Sequence, residues 1–479
     1  MTSTSDNDKI FENSTSVLHD LVNKYNVPEQ VVNKISSTID NLTETLHNFQ
    51  ADVDSEVSEN HDMMVEENTD EISGKLVTTQ SNSSRSDRSS SSGSSRGSSS
   101  GSSVSIFDFT CDLLKDRYYI IYLLGSGTFS AVWLAYDLKN KDYVAIKIQN
   151  PEDYKDAEYE LQIYQKLGES NNQHIAKLLD FFKYEQDTED SSYHVCLVFN
   201  LYGFDIYNLL KRYNTGLDVK TVKKIMNQSL DALVTIHDKY RLIHTDIKPE
   251  NIMIKQLTPM TLWVIEQFNS FEPKKFKSVS KFKKFIDPKV KELEDSYAKM
   301  EYYFVSQPFE LDTENIEIVL TDFGSACYET ESISDDIQTR YYRAPEVILG
   351  KKFYKSVDMW SMGCICYELL TANTLFDADK TKNVDRDTHH LYIIQKFCGI
   401  YPKILLGNAK YAHRFFNANG VMKEFDEIPQ YNISGMLSEE FMISNEESDY
   451  WSQLLEKCFI YHPRKRISAS EALTFLNNE

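Results

Sequence analysis

Disulfide and zinc-site patterns are missing from the sequence. Its 479 residues include seven cysteines, and no two of them have the spacing of zinc ligands. An odd number of cysteines in a chain this long also does not indicate a disulfide framework. We therefore expect a reducing, intracellular compartment, namely the cytoplasm, with the nucleus left open as a second location.

The sequence also lacks long apolar runs and an excess of basic charge. No apolar stretch reaches the roughly 18 residues of a membrane span, and the N-terminal MTSTSDNDKIFENSTS lacks the basic start and apolar run of a signal peptide. With 73 acidic and 51 basic side chains, the formal net charge is −22. Because a nucleic-acid binder carries a basic face, we expect no membrane span, no nucleic-acid binding and an attraction to basic partners. Composition leaves the oligomeric state open.

The first 106 residues have the composition of a disordered arm. Apolar side chains recur there every three or four positions, at Val31, Ile35, Ile39, Leu42 and Leu46. This spacing predicts one short amphipathic helix, either a marginal helix in a disordered tail or one that binds a partner. Residues 52–71 are acidic without Lys or Arg, and residues 81–103 form a Ser/Arg/Gly-rich tract too polar to pack.

From residue 107 onward the pattern is that of a two-lobed α+β fold. Residues 118–199 indicate short strands and one helix, with valines and aromatic residues at strand spacing. After residue 201 the pattern becomes helical, as in VKTVKKIMNQSLDALVTIHD and SVDMWSMGCICYELLT. A small strand-rich lobe and a larger helical lobe predict a cleft between them, in one domain that spans residues 107–479.

A glycine-rich turn opens the small lobe. Gly125 and Gly127, in GSGTFS, follow one predicted strand and precede another. Glycines without a Cβ let backbone N–H groups approach phosphates closely. A simple hairpin explains the same pattern, so this motif alone leaves both interpretations open.

A lysine and a helix carboxylate follow at the expected distances. Lys147 ends an apolar strand, where it is either a surface lysine or, paired with a carboxylate, a ligand of the α- and β-phosphates of ATP. Glu158 and Glu160 both lie in the next helix. We favour Glu160, because it should share the inward face of Ile163 and Tyr164.

The stretch IHTDIKPEN and the later LTDFG carry the catalytic signal. In phosphoryl transfer, Asp246 would deprotonate the substrate hydroxyl, Lys248 would neutralise the transferred phosphoryl, and Asn251 and Asp322 would hold the metal. Each block alone could be a capped turn, since Asp and Asn favour turns. The presence of all the blocks in the required order argues against coincidence.

Three further residues have expected structural roles. Glu346, in APE, is predicted to form a buried ion pair with Arg466 of PRKRIS. Asp358, on a helix of the large lobe, is predicted to hold the backbone of the catalytic loop.

With these motifs the chain, from about residue 118 to 473, resembles the eukaryotic protein kinases. It is most similar to the SR-protein kinases, which phosphorylate serines in Arg-Ser repeats. This likeness rests on LGSGTFSAVWLAYD, HTDIKPENIM, DDIQTRYYR and RDTHHLYIIQKFCGIYPKILLGNAKYAHRFF, and on a long insertion before DFG. The resemblance implies a serine/threonine kinase that uses ATP and Mg²⁺ on a protein substrate, in this subfamily an Arg-Ser-rich one. It also adds Ser130, Val132 and Ala145 to the ATP-binding residues.

Two alternatives accompany this interpretation. DFGSACYE and YYRAPEVILG look more like the dual-specificity (DYRK) and LAMMER-type kinases, so a kinase of that type is the alternative among enzymes. Outside enzymes, the alternative is a catalytically silent kinase fold that serves as a scaffold. Loss of Lys147, Asp246 or Asp322 would indicate a scaffold, and all three are present.

Thr245 replaces an arginine that most kinases have before the catalytic aspartate. Such an arginine pairs with a phosphate on the activation loop and makes activity switchable. Thr245 cannot form that pair, and Asp336 stands where DYRK kinases carry a regulatory tyrosine. We therefore hypothesise that the enzyme is constitutively active.

The substrate surface departs from the SR-protein kinase pattern. The acidic docking positions of that family fall here on Asn373, His389 and Lys396, which puts the docking of Arg-Ser repeats in question. Basic residues near the phosphoacceptor pocket have counterparts, at Arg340, Arg343 and Arg386. These could accept a phosphoserine or acidic neighbour of the target serine, or the first two could form a purely structural clamp.

The insertion at residues 255–315 and the arm each allow two interpretations. The middle of the insertion is lysine-rich with interleaved phenylalanines, which predicts a solvated, partly helical loop or a surface for RNA, membrane or an acidic partner. It could also fold onto the acidic residues 52–71. Serines of the arm adjoin arginines and are either autophosphorylation sites or parts of a flexible linker; they are Ser84, Ser86, Ser89 and Ser95.

Overall fold

The computed structural model describes seven ranges of the chain: 107–185, 193–212, 215–307, 311–331, 336–378, 384–425 and 427–478. All of them belong to one unit, residues 88–479. The predicted helix, acidic segment and serine tract of the arm lie outside these ranges. Within them, no helix is both long and apolar enough to cross a lipid bilayer.

The small lobe is built on a six-stranded antiparallel sheet with the strand order β1-β2-β3-β4-β6-β5. Its strands are β1 (Leu113–Leu114), β2 (Tyr118–Ser126), β3 (Ser130–Asp137), β4 (Asp142–Gln149), β5 (Leu178–Glu185) and β6 (Tyr193–Phe199). Strands β3 and β4 pair without a register shift, so alternate residues of both strands point to one face.

Helix α1 (Tyr154–Leu167) belongs to the small lobe. Its buried residues recur at helical spacing and form an inward face that is apolar except for one carboxylate. They are Ala157, Glu160, Ile163, Tyr164 and Leu167. A buried glutamate among apolar residues requires a partner, which the site below supplies.

The large lobe is helical. Its helices outside the insertion are α2 (Ile206–Leu210), α3 (Val219–Val234), α6 (Pro345–Ile348), α7 (Ser356–Thr371), α8 (Arg386–Cys398), α9 (Lys403–Leu406), α10 (Ala412–Phe415), α11 (Ile433–Glu439), α12 (Asn445–Cys458) and α13 (Ala469–Asn477). Every residue of α7 is buried, so this helix is the centre of the lobe. The predicted α+β, two-lobed architecture is confirmed.

Two short antiparallel ladders position the predicted catalytic segments. Strand β7 (Leu242–Ile243) pairs with β10 (Cys327–Tyr328), and β8 (Ile252–Ile254) pairs with β9 (Ile318–Leu320). Residues 244–251 therefore form the loop between β7 and β8, and Asp322 follows β9 closely. The two ladders bring these segments together although about 70 residues separate them in sequence.

The insertion consists of two helices that pack on the small lobe, so the interpretation as a solvated loop is wrong for its inward face. Helix α4 (Pro259–Ser270) and helix α5 (Val279–Ser306) share a hydrophobic cluster with strands β2 and β3. Its buried members from the two helices are Met260, Val264, Phe268, Phe282, Ile286 and Val290, and those from the strands are Tyr119, Ile121, Leu134 and Tyr136.

Hydrogen bonds fix the same contact. The Tyr119 hydroxyl donates to Asp287 Oδ1 over 2.9 Å, and the Tyr143 hydroxyl donates to Asn269 Oδ1 over 2.9 Å. In α5 the buried apolar residues are spaced four apart, and lysines between them, such as Lys281 and Lys284, are exposed on the outer face. The proposed contact with residues 52–71 lies outside the described residues.

We predict that Ile286→Ala destabilises the protein by about 2–5 kcal/mol, because it leaves a cavity at a fully buried position. The matched control is Val305→Ala on the same helix, where the side chain is 65% exposed and the change should stay within about 0.5 kcal/mol. Thermal and urea unfolding of the full chain measures both. Equal effects of the two substitutions would contradict the packing of α5 on the small lobe.

Candidate functional site

The turn between β2 and β3 leaves room beside its glycines. The Gly127 N–H donates to the Ser130 carbonyl over 2.8 Å and closes the turn. A Cβ at Gly125 would meet no atom within 4 Å, and one at Gly127 would meet only the Ser130 oxygen, at 3.9 Å. Protein packing therefore does not require glycine at these positions. The space that they leave open fits the close approach of a phosphate to backbone N–H groups.

The face of the sheet beneath this turn points toward the large lobe. Val132 lies opposite Lys147 in the β3–β4 register, and Ala145 is two residues before Lys147 on the same face. Ala145 is buried and Val132 half-buried. Since Lys147 contacts Asp322 of the large lobe, these small apolar side chains line the roof of the cleft.

Lys147 joins both lobes through two carboxylates. Its Nζ lies 2.9 and 3.0 Å from the two carboxylate oxygens of Glu160, and 2.8 Å from Asp322 Oδ1. The Gln149 amide also donates to Glu160, over 2.6 Å. The expected pairing of Lys147 with Glu160 is therefore present. Glu158 instead accepts from Lys183 at the surface, over 2.6 Å.

The charges of this cluster stabilise one another. Burial favours the neutral form of Lys147, but Asp322 and Glu160 outweigh it and raise the pKa of the ammonium above its usual 10.5. The charge of Lys147 in turn lowers the pKa of Asp322 to about 2, against the effect of burial. Asp322 is thus a carboxylate over the whole range of working pH.

The catalytic loop holds Asp246 between two donors. Lys248 Nζ donates to Asp246 Oδ2 over 2.7 Å, and the Thr339 hydroxyl and N–H donate to Oδ1 over 2.7 and 3.1 Å. The Asn251 amide donates to the Asp246 carbonyl over 2.8 Å. Burial lowers the pKa of Lys248, but the Asp246 charge and hydrogen bond outweigh it, so the net shift is upward. These contacts fix the Asp246 carboxylate in one orientation.

Thr339 is a site residue that sequence reasoning missed. It lies in IQTR, a stretch noted only for its likeness to other kinases, and 93 positions separate it from Asp246. The signal that could have found it is its place directly before Arg340 and a few residues before APE. Gln149, which supports Glu160, had no signal beyond lying two residues after Lys147 on the same strand face.

Asn251 and Asp322 offer oxygen atoms that fit a magnesium ion. The Asn251 amide nitrogen is engaged with the catalytic loop, and no described residue donates to its Oδ1. Asp322 gives one oxygen to Lys147, and its side chain remains 44% exposed toward the cleft. A carboxylate and an amide oxygen are ligands that suit Mg²⁺. Among the described residues, no group of three or more His, Cys, Asp or Glu side chains forms a separate metal site.

The large lobe supports the catalytic loop as expected. Asp358, fully buried on α7, accepts from the N–H groups of His244 and Thr245 over 2.8 and 2.9 Å. The predicted ion pair of Arg466 with Glu346 is bidentate, over 2.7 and 2.9 Å. Neither the loop backbone nor this buried carboxylate is therefore left without partners.

Thr245 and two nearby arginines have polar partners within the chain, so none of them depends on a phosphate group for a partner. The Thr245 hydroxyl donates to the Ser325 carbonyl over 2.6 Å. Arg343 pairs with Asp336 over 2.9 Å and donates to the Gln338 carbonyl, and Arg340 pairs with Asp387 over 2.7 Å. Both guanidinium groups are thus held within the chain, as the structural-clamp interpretation expects.

Two of the three docking positions, His389 and Lys396, carry aromatic contacts in place of acids. Lys396 lies over the rings of Tyr392 and Tyr431 at 5.5 and 4.2 Å, and His389 stacks on Tyr392. Asn373 donates to the nearby Thr371 carbonyl over 2.7 Å. None of the three supplies a negative charge for an arginine-rich segment.

Comparison with known proteins agrees with this geometry. The family described as "Protein kinase domain" matches residues 118–264 and 309–475, so the gap in the match begins within α4 and contains all of α5. The serine/threonine-protein kinase SRPK of Physarum polycephalum is 32% identical over 76% of this chain and 86% of its own length. SRSF protein kinase 3 of Mus musculus is 24% identical over 76% and 86%. The dual specificity protein kinase lkh1 of Schizosaccharomyces pombe is 29% identical over 75% and 46%.

The family match covers more than half of the chain, and the kinase of Physarum exceeds 30% identity over most of both proteins. The chain therefore belongs to the protein kinase domain family, and it is an SRPK-like protein serine/threonine kinase.

Proposed function

We propose that this kinase transfers the γ-phosphoryl of ATP, in the presence of Mg²⁺, to serines in Arg-Ser-rich protein segments. The observation that carries the chemistry is the pair of anchored carboxylates: Asp246 between Lys248 and Thr339, and Asp322 on Lys147. Such an arrangement supplies a base, Asp246, that would orient the substrate hydroxyl, and a charged lysine, Lys147, that would bind the phosphates.

Each side chain has a distinct role in this proposal. Lys147, held by Glu160, binds the α- and β-phosphates, and the glycine-rich turn covers the phosphate chain. Asp246 accepts the proton of the substrate hydroxyl as that oxygen attacks the γ-phosphorus. Lys248 stabilises the negative charge of the transferred group. Catalysis then rests on positioning and electrostatics, since little covalent chemistry falls to the protein.

Asn251 and Asp322 are the residues that would hold the magnesium ion. When bound, Mg²⁺ neutralises charge on the phosphate oxygens. The amide of Asn251 also donates to the backbone of the catalytic loop, so the proposed metal ligand and the proposed base share one rigid element.

The substrate class rests on relatives and on charge. The names of two relatives, SRPK and SRSF protein kinase 3, link those proteins to SR proteins, and a net charge of −22 favours basic segments. Arg340 and Arg343 already have acidic partners. Arg386 is exposed and makes no hydrogen bond or ion pair with any described residue, so it is the group available to an acidic or phosphorylated neighbour of the target serine.

A dual-specificity or LAMMER-type activity is the second candidate. It is favoured by the DFGSACYE and YYRAPEVILG stretches and by the likeness to lkh1. The loss of acids at Asn373, His389 and Lys396 is also compatible with it, because it removes the surface along which an arginine-rich segment would lie.

We predict that the full chain phosphorylates an Arg-Ser repeat peptide in preference to a proline-directed one. Asp246→Asn should lower this rate about 10²- to 10⁴-fold, because the proton acceptor is lost. Nucleotide binding, measured by calorimetry, should persist in the variant. Phosphorylation of only the proline-directed peptide would contradict the proposed Arg-Ser-rich substrate class. Autophosphorylation on tyrosine would favour the dual-specificity candidate.

We also propose that activity does not require phosphorylation of the activation segment. Asp336, which stands where the resemblance to DYRK kinases would place a regulatory tyrosine, supplies a fixed negative charge to Arg343. Burial lowers the pKa of Arg343, and Asp336 opposes that shift. The guanidinium charge is therefore compensated without any phosphate.

The corresponding prediction is that phosphatase-treated enzyme retains its activity. Asp336→Asn should lower kcat about 3- to 10-fold, the effect of removing one charged partner of a largely buried arginine. Glu158→Gln is the control, because it breaks an ion pair of the same kind at the surface, with Lys183. Loss of activity on dephosphorylation would contradict the proposal, as would an unchanged kcat in Asp336→Asn.

A further inference from the structure

One hydrogen bond near the DFG motif is not predicted by any of the sequence motifs. The Asp322 N–H donates to the hydroxyl of Tyr164 over 3.1 Å. Tyr164 lies on α1, in the small lobe, whereas Asp322 follows β9 of the large lobe. No other described group accepts this N–H. Asp322 is therefore held at two points, its carboxylate by Lys147 and its main chain by Tyr164.

The backbone of Asp322 needs such support. Its φ is 60°, in the left-handed region that non-glycine residues rarely adopt. A backbone N–H withdrawn from water without an acceptor is unfavourable, so the hydroxyl stabilises the one conformation that directs the carboxylate to Lys147.

Tyr164 is itself fixed. Its ring makes edge contacts with Phe199 of β6 and Phe323 of the DFG motif, with centroids 4.8 and 5.4 Å apart, and the residue is only 3% exposed. Glu160 lies one turn earlier on the same face of α1. One helical turn therefore carries both the carboxylate that holds Lys147 and the hydroxyl that holds Asp322.

The chemistry of the hydroxyl suits this role. The phenol oxygen of a tyrosine can accept a hydrogen bond as well as donate one, so it can hold the Asp322 N–H. A phenylalanine would keep the ring contacts and remove only the acceptor. The position is thus one where a single oxygen can be deleted without a change of packing.

We propose that Tyr164 is a positioning residue for the metal-binding carboxylate: its hydroxyl fixes the main chain of Asp322 and thereby the orientation in which that carboxylate meets Mg²⁺. The inference rests on the proposed role of Asp322 as a metal ligand. It goes further by assigning part of the metal affinity to α1, a helix that itself supplies no ligand.

The test compares nucleotide affinity with and without the metal in Tyr164→Phe. Calorimetry of the full chain measures ADP binding in EDTA and in Mg²⁺, and the ratio of the two dissociation constants reports the metal contribution. We expect unchanged affinity in EDTA and a metal contribution reduced about tenfold, the effect of leaving a buried donor unpaired. kcat should fall in parallel and recover in part at high Mg²⁺.

Tyr154→Phe is the matched control. It lies at the start of the same helix, 37% exposed, and its hydroxyl forms no hydrogen bond with the described residues. This variant should keep the metal contribution of the parent protein. Thermal unfolding of both variants separates the proposed role from a merely structural one, which would lower the melting temperature and leave the metal contribution intact.

The variant Asp322→Asn distinguishes a failure of the proposed role of Tyr164 from a failure of the proposed metal-binding role of Asp322. If this variant retains the full metal contribution, the proposed role of Asp322 fails, and the role of Tyr164 fails with it. If Asp322→Asn loses the contribution and a folded Tyr164→Phe keeps it, only the role of Tyr164 is overturned.

Discussion

The contact of Lys147 with Glu160 and Asp322 is the interaction on which the site depends. It joins a strand and a helix of the small lobe to the segment after β9 of the large lobe, over distances of 2.8 to 3.0 Å. Removal of Lys147 would leave the buried Glu160 carboxylate without its charged partner, which costs about 3–5 kcal/mol in buried pairs. The small lobe, the position of α1 and the conformation of Asp322 are thereby set together.

The large lobe stabilises the other half of the site by hydrogen bonds to the backbone. Asp358 accepts two N–H groups of the catalytic loop, and it does so from a helix that is buried along its whole length. A loop normally lies on the surface and moves. This one is tied to a helix that is buried along its whole length, so Asp246 can hold its orientation before substrate arrives, which is the preorganisation that phosphoryl transfer requires.

The parts of the site that could be predicted from the sequence are those with local patterns. The catalytic loop and DFG are contiguous motifs, and helical periodicity alone separated Glu160 from Glu158. Thr339 could not be found in this way, because its contact with Asp246 depends on how the chain returns after 93 residues. The insertion was misjudged for a different reason: its lysines dominate the composition, while the apolar residues that decide its packing recur only every fourth position.

The charges around Lys147 bear on the proposed magnesium site. Lys147 faces two carboxylates, those of Glu160 and Asp322, and its charge holds the pKa of Asp322 at about 2. In the proposed reaction the phosphates of ATP would add negative charge, and a divalent cation beside Asp322 and Asn251 would offset it. Any outward movement of α1 would remove Glu160 from Lys147 and the Tyr164 hydroxyl from the Asp322 backbone in one step. The position of a single helix therefore determines both the charge that receives the phosphates and the orientation of the carboxylate that would receive the metal.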